Sequence, residues 1–289
     1  MSAPPVVASA ATFTATGGVT LFRRVWEPDG ELRAVVVLAH GLGEHSGRYD
    51  DVARRLASNG FAVWALDHRG HGRSAGRRVH VERFAAYEDD LELLRRQAMV
   101  AHPDLPRVLL GHSMGGAIAL GHVIDHPGAF DALVLSGPLT DAAHGLPAAV
   151  VVAGRWLARI APTLPLIRFD GAAVSRDPAV VQAYLDDPLV YRGRLTAGLG
   201  NQLVARTARF PDEVGGLRLP VLVVHGTADR LVPIDTSREL VAQFGSADVT
   251  LAEQPGLYHE VLNEPEREAV LTVIIDWIEQ RLPTMGVRP

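Results

Sequence analysis

Five consecutive residues, Gly111-His112-Ser113-Met114-Gly115, constrain this chain more than any others. The apolar run Val108-Leu109-Leu110 stands directly before them and the small-residue stretch Gly116-Ala117-Ile118-Ala119-Leu120 directly after. A serine between glycines at a strand-to-helix junction predicts a tight turn, with the serine in a sparsely populated backbone conformation and neighbours small enough for strand and helix to pass each other. The serine hydroxyl is then exposed and the Met114 N–H points toward an incoming acyl oxygen. The alternative, a glycine-rich turn with a packing serine, explains neither the buried-type strand before nor the helix after.

The rest of the chain has the rhythm such a turn requires. Val35 to Ala39, Phe61 to Leu66, Val108 to Leu110, Ala132 to Leu135 and Val221 to Val224 are short apolar runs of fully buried strand type. They alternate with helical patterns, Tyr49, Val52, Ala53 and Leu56 stopping at Gly60, then Phe84, Tyr87, Leu91 and Leu94. This predicts an α/β fold, a mostly parallel central sheet flanked by helices on both faces. Thr12 to Thr16 and Val19 to Trp26 around Gly17-Gly18 predict an antiparallel hairpin at the sheet edge. The stretch Met1 to Ala11, with Pro4 and Pro5 and no basic start, predicts a loose tail and no signal peptide, and Pro283 to Pro289 a frayed end.

After Ser136-Gly137-Pro138 the rhythm breaks. From Leu139 to about Gly215 there are several prolines, two helix-like segments and no strong strand, before Leu219-Pro220-Val221-Leu222 resumes the sheet. The expected organisation is a core in two parts, 1–138 and 216–289, with a mainly helical cap, 139–215, inserted beyond the C-terminal strand ends where open α/β sheets bind ligands. Within it Val150, Ala153, Trp156, Leu157 and Ile160 share one helical arc, with Arg155 and Arg159 on the opposite side. A helix packed on the core is the expectation; an interfacial lid touching lipid or an acyl chain is the alternative.

Composition excludes several chemistries. The 289 residues carry a formal net charge of -5, so nothing draws the chain to nucleic acid, and no apolar stretch is long enough to span a bilayer. With Cys 0 there is no disulfide, thiolate metal site or cysteine nucleophile, which leaves serine and suits a reducing cytosol.

A serine nucleophile needs a histidine base and an acid that fixes the imidazole tautomer, and after an elbow of this type the acid precedes the histidine in the chain. His126 lies too close to the elbow, leaving His144, His225 and His259. His144 opens the cap and His225 is inside the strand leading to the acid, so His259, in a loop after the strand candidate Val249 to Ala252, is the predicted base. Asp229 sits in a turn just past Val221 to Val224 and is the predicted acid; Asp235 reads as a helix-capping charge and Asp248 as a surface turn residue. His40-Gly41-Leu42-Gly43-Glu44-His45 follows Val35 to Ala39, so the Leu42 N–H joins that of Met114 as the predicted oxyanion hole. His68 and His71 lack the further ligands a metal needs, and the glycines Gly70, Gly72 and Gly76 fit no nucleotide fingerprint, so that segment is expected to support the site's floor.

From about Val19 to Leu282 the chain resembles the monoacylglycerol lipases, in the hydrolase_4 or lysophospholipase-like branch of serine hydrolases with the α/β-hydrolase fold. The likeness rests on His40-Gly41-Leu42-Gly43-Glu44-His45-Ser46-Gly47-Arg48-Tyr49, Asp67-His68-Arg69-Gly70-His71-Gly72-Arg73-Ser74, Gly111-His112-Ser113-Met114-Gly115-Gly116, Tyr184-Leu185-Asp186-Asp187-Pro188-Leu189 and Gly226-Thr227-Ala228-Asp229. It implies the same triad and oxyanion donors, and it implies that Glu44, Arg48 and Tyr184 lie in or near a pocket for the glycerol head group. A structural ion pair is the alternative for Glu44 and Arg48. Trp156 and Ile160 are expected to meet the acyl chain.

The expected activity is hydrolysis of monoacylglycerol, or a similar small lipid ester, without metal or organic cofactor. The expected location is the cytoplasm, free or transiently at a membrane surface through the cap. A broader carboxylesterase or lysophospholipase, and a non-catalytic ligand-binding protein on the same scaffold, are the rivals.

Overall fold

The computed structural model describes residues 6–282. Two strands open the fold, β1 (Val6–Ala15) and β2 (Val19–Pro28), followed by β3 (Ala34–Ala39), helix α1 (Asp50–Ala57), β4 (Phe61–Leu66), α2 (Ala85–Ala101), β5 (Arg107–His112), α3 (Met114–Asp125) and β6 (Ala132–Ser136). The segment 137–220 then holds α4 (Ala148–Ile160), β7 (Pro165–Ile167), α5 (Pro178–Asp186), β8 (Leu195–Thr196), α6 (Ala197–Thr207) and the short α7 (Phe210–Glu213). The core resumes with β9 (Val221–Gly226), α8 (Ile234–Val241), β10 (Val249–Gln254) and α9 (Arg267–Glu279).

The main sheet has the order β1-β2-β4-β3-β5-β6-β9-β10. From β4 to β10 all neighbours are parallel; β2 joins β4 and β1 joins β2 antiparallel. This is the α/β-hydrolase arrangement. In β3, Val35 and Val37 enter the core shared with Leu91 of α2 and Ile118 of α3, whereas Val36 and Leu38 enter the core shared with Leu56 of α1 and Ile274 of α9. Both faces are covered, so the strand is apolar at every position, and each fully buried Val or Leu contributes about 1.5–3 kcal/mol.

Two expectations need correction and a third an addition. The stretch Met1 to Ala11 is not a loose tail from Val6 onward: those residues pair with β2 from Val6↔Pro28 to Ala15↔Val19, and Thr16 falls in the turn. Most β1 side chains are exposed, so this edge strand lacks the apolar alternation that marks a strand in sequence. The segment 139–215 has no long strand, as expected, but β7 and β8 add a small antiparallel pair that is too short to show a period. Finally, α4 has no buried residue: Trp156 is 61% and Ile160 80% exposed, while Val151, Gly154, Leu157 and Ala158 are half-buried. Periodicity groups the arc Val150, Ala153, Trp156, Leu157 and Ile160 but does not say whether core or solvent receives it; of these only Leu157, near one edge of the arc, is half-buried. The end Pro283 to Pro289 lies outside the described residues.

The elbow between β5 and α3 depends on its glycines. Ser113 has φ 53° and ψ -119°, and a Cβ on Gly115 would overlap the carbonyl oxygens of Ala39 and His40 at the end of β3. Gly115→Ala should therefore lower the free energy of unfolding by about 3 kcal/mol, at the upper end for overpacking because backbone cannot give way like a side chain. Chemical denaturation measures this, and wild-type stability in the variant would mean that the start of α3 can move away from the end of β3 at little cost.

Candidate active site

Parallel strands end on the same edge of a sheet, and the loops leaving β3, β5, β9 and β10 accordingly bring Leu42, Ser113, Asp229 and His259 together. The Ser113 hydroxyl donates to His259 Nε2 at 2.8 Å, and His259 Nδ1–H donates to Asp229 Oδ2 at 2.7 Å. The hydrogen bond to Asp229 keeps the proton on Nδ1 and leaves Nε2 free to accept from serine. Asp229 is itself held by the N–H groups of Leu231 and Val232 on Oδ1, at 2.8 and 2.9 Å.

Charge follows this geometry. Burial opposes ionisation of Asp229, but His259, the His225 ring and the backbone N–H groups outweigh it and hold the carboxyl well below the usual carboxylate range. Burial likewise pulls His259 down, yet Asp229 beside it prevails and the imidazole stands above its ordinary value. The pair can therefore take a proton from Ser113 and carry the resulting imidazolium next to an anion.

Leu42 and Met114 line the same cavity as Ser113, and no acceptor among the described residues engages either N–H. The loop carrying Leu42 is fixed from below: His40 Nδ1–H donates to Gly41 O at 2.7 Å, and His40 Nε2 accepts from the His68 N–H at 2.9 Å. Asp67 accepts from the Ser46 N–H and hydroxyl at 2.8 and 2.5 Å. The histidine-rich segment thus serves as a support, and no group of metal-ligating side chains occurs among the described residues.

Glu44 lines the cavity and is buried. It accepts from Gly41 N–H at 2.6 Å, the Tyr49 hydroxyl at 2.7 Å and Arg48 Nη1 at 2.7 Å. Burial works against its charge, but Arg48, with His112, His40 and the Tyr49 hydroxyl, holds the carboxyl at about 2. Arg48 also grips Glu260 with both terminal nitrogens at 2.7 Å and lies 4.8 Å from the centre of the Tyr184 ring. Tyr184 lines the cavity, and burial with the nearby Glu260 and Glu44 pushes its phenol up to about 12. Arg48 does not line the cavity; it stands behind the wall and fixes Glu44 and Glu260. Trp156 and Ile160, expected at the acyl chain, are outside the lining on the exposed side of α4, for the reason given above.

The rejected candidates lie elsewhere. Asp235 pairs with Arg238, Asp248 with Arg281, and His144 is exposed beside Asp141. Three side chains were not anticipated. His112 lines the cavity, donates from Nδ1 to Ser136 O at 2.9 Å and lies with its ring 4.8 Å from that of His259; burial and the neighbouring His259 lower it to about 4. Glu260 completes the clamp on Arg48, and His225, weighed above only as a base, donates to Asp229 Oδ2 at 3.1 Å. The signal for Glu260 was a charge adjacent to His259; His225 gave none beyond being a polar residue in a buried strand.

The family model Hydrolase_4, described as serine aminopeptidase S33, matches residues 30–266. The chain belongs to this family. This Hydrolase_4 chain is 46% identical to the monoacylglycerol lipase of Mycolicibacterium smegmatis, over 94% of its own length and 97% of that protein. It is 37% identical to the monoglyceride lipase of Homo sapiens, over 93% and 90%. The crystal structure of Paleococcus ferrophilus monoacylglycerol lipase superposes with a TM-score of 0.79 at 30% identity, covering 95% of this chain and 99% of that one.

Because His259 must be unprotonated to accept the Ser113 proton, a raised imidazole moves the loss of activity on acidification to higher pH. The acid limb of kcat/KM should lie above the ordinary histidine value of about 6.5. A pH–rate profile on a soluble ester checks this, and an acid limb below that value would contradict the dominance of Asp229 over burial.

Proposed function

We propose that this chain hydrolyses monoacylglycerols to fatty acid and glycerol through an acyl-enzyme on Ser113. One observation carries the proposal: a cavity of about 510 Å³ combines the Ser113–His259–Asp229 relay with an apolar wall that includes Leu139, Val174, Leu195 and Leu203 and a polar end at Glu44 and Tyr184. The names of the curated relatives, monoacylglycerol and monoglyceride lipases, support the same substrate.

Ser113 Oγ attacks the ester carbonyl while His259 Nε2 takes its proton, and the Leu42 and Met114 N–H groups receive the oxyanion. His259 then returns the proton to the departing glycerol oxygen, and water, activated by the same imidazole, releases the fatty acid. Glu44 offers its charge, and Tyr184 its ring and hydroxyl, to the free hydroxyls of the glycerol. A site of this volume holds one acyl chain with its head group and has no room for three.

Residues 139–215 act as a cap, with 1–138 and 216–289 as the two parts of the core. Support comes from the mixed lining, in which Leu139, Phe169 and Tyr184 face the same space as Gly41, Ser113 and His259. Tyr191 N–H donates to Gly43 O at 2.7 Å, and His45 joins Asp187 at 2.8 Å, so the segment is tied to the Leu42 loop. Among the described residues no helix is long and apolar enough to cross a membrane. Leu146, Val150, Trp156, Ile160, Leu164 and Ile167 nevertheless form a run of exposed large apolar side chains, with Arg155 and Arg159 near by. This surface docks the cytoplasmic protein peripherally on lipid, where its substrate is dispersed.

Two experiments test the proposal. Ser113→Ala should lose about a millionfold in turnover while keeping its fold, and the wild-type protein should lose activity steeply from monoacyl to triacyl glycerol. Residual turnover in the folded variant, or equal rates on all three glycerides, would sink the nucleophile or the pocket respectively. Replacing Trp156 and Ile160 together by Ser should reduce hydrolysis of lipid-dispersed long-chain substrate about tenfold while leaving a short soluble ester unaffected. Equal loss on both substrates would remove the docking role.

A further inference from the structure

We infer that His225 is a positioning residue for this hydrolysis, clamping the Asp229 oxygen that holds His259. The inference rests on the triad role proposed above. His225 lies in β9 with no exposed surface. Its Nε2 is 3.0 Å from Val232 O and 3.1 Å from Asp229 Oδ2, and its Nδ1 is 2.9 Å from Ser237 Oγ in α8. A backbone carbonyl can only accept, so Nε2 carries the hydrogen and divides it between Val232 O and Asp229 Oδ2. Nδ1 is then the acceptor for the Ser237 hydroxyl, which fixes the tautomer from the far side of the ring.

The consequence falls on Asp229. Oδ1 receives the N–H groups of Leu231 and Val232, and Oδ2 receives His259 Nδ1–H and His225 Nε2–H, so each oxygen has two donors. With all four bonds made, the carboxylate cannot turn about Cβ–Cγ without breaking several of them, and Oδ2 stays against His259 Nδ1. The second donor on Oδ2 also draws off part of its negative charge. That limits how strongly Asp229 stabilises the His259 imidazolium, and it keeps the proton on nitrogen when the imidazolium forms. A residue that merely joined β9 to α8 and to the loop at Val232 would need the bonds to Ser237 Oγ and Val232 O but not a share of its N–H on the carboxylate.

The charged and titratable neighbours of the pair are known. His225 faces Asp229 and has Glu253 beside it on β10; His259 faces Asp229, Glu260, Glu44 and His112. None of the others would be moved by a substitution at 225 that preserves the fold.

The test uses the full chain and a soluble nitrophenyl ester, measuring kcat, KM and the pH profile of kcat/KM, with thermal denaturation to establish folding. His225→Leu fills the space but has no donor: kcat should fall about tenfold with KM within about twofold, and the acid limb should move upward by roughly half a unit as Asp229 Oδ2 acts on His259 alone. His225→Gln can again present an N–H to Oδ2 and should recover most of kcat and the wild-type acid limb. An unmoved limb with unchanged kcat in folded His225→Leu would overturn the inference, as would equal defects in the Leu and Gln variants. Should His225→Leu fail to fold, Ser237→Ala decides: loss of the hydroxyl frees the ring, so the limb should move the same way by less, and an unmoved limb overturns the role. Ser113→Ala run alongside keeps the two proposals apart. Turnover there removes the nucleophile itself, whereas an inactive Ser113→Ala beside an unaltered His225→Leu removes the role of His225 alone.

Discussion

The backbone of Ser113, held at φ 53° and ψ -119°, is the constraint on which the site depends. A serine does not adopt that conformation on its own, and departures of this kind cost about 1–3 kcal/mol. The surrounding structure imposes it: the Ser113 N–H donates to Ser136 O at 3.1 Å, and its carbonyl accepts from Gly116, Ala117 and Leu139 at 2.9, 3.2 and 3.0 Å. The same turn places Oγ at His259, sets Met114 in the cavity wall and begins α3, whose positive end lies beside Ser113. Close passage of α3 over β3 then demands Gly115, and the elbow thereby couples the hydroxyl to the loop that carries Leu42.

Around that turn the cavity is an electrostatic construction as much as an apolar one. Two buried carboxylates, Glu44 and Glu260, share one buried guanidinium, Arg48, which lies 4.8 Å from the centre of the Tyr184 ring. Removing one partner from such a group leaves an uncompensated buried charge and typically costs about 3–5 kcal/mol, so the cluster is rigid for the same reason that it is expensive. His112, lowered to about 4, adds no competing positive charge beside His259 at neutral pH. A raised His259 next to a lowered His112 shows how similar side chains separate in behaviour once one has a carboxylate partner and the other a backbone carbonyl.

Much of this was legible in the chain. The inner strands β3, β4, β5, β6 and β9 are buried on both faces and so read as apolar runs, and the Gly111 to Gly115 motif leaves little freedom for the backbone. The order serine, acid, histidine along the chain follows from strand ends that share one edge, and hence Ser113, Asp229 and His259, which the fold joins by hydrogen bonds, were legible from the chain alone. Only the end of strand β1 was legible, Thr12 to Ala15 as one arm of the hairpin, while Val6 to Ala11 was not, because those residues gain backbone pairing but little burial. For Arg48 the resemblance left open whether it lies in or near the pocket, and it stands outside the lining, bonded to Glu44, since sequence carries no depth.

The sequence by itself determined the sheet class, the elbow and the identities of the hydroxyl, imidazole and carboxylate, because each rests on local stereochemistry or on chain order. Only the tertiary structure decided which face of α4 meets solvent, that Glu260 closes the clamp on Arg48, and that His225 supplies a second donor to Asp229 Oδ2. Those outcomes depend on distances between residues far apart in the chain or on opposite sides of a loop, and periodicity and motif spacing contain no information about such distances. An amphipathic pattern says that two sides of a helix differ; which of them is buried is settled by what packs against it.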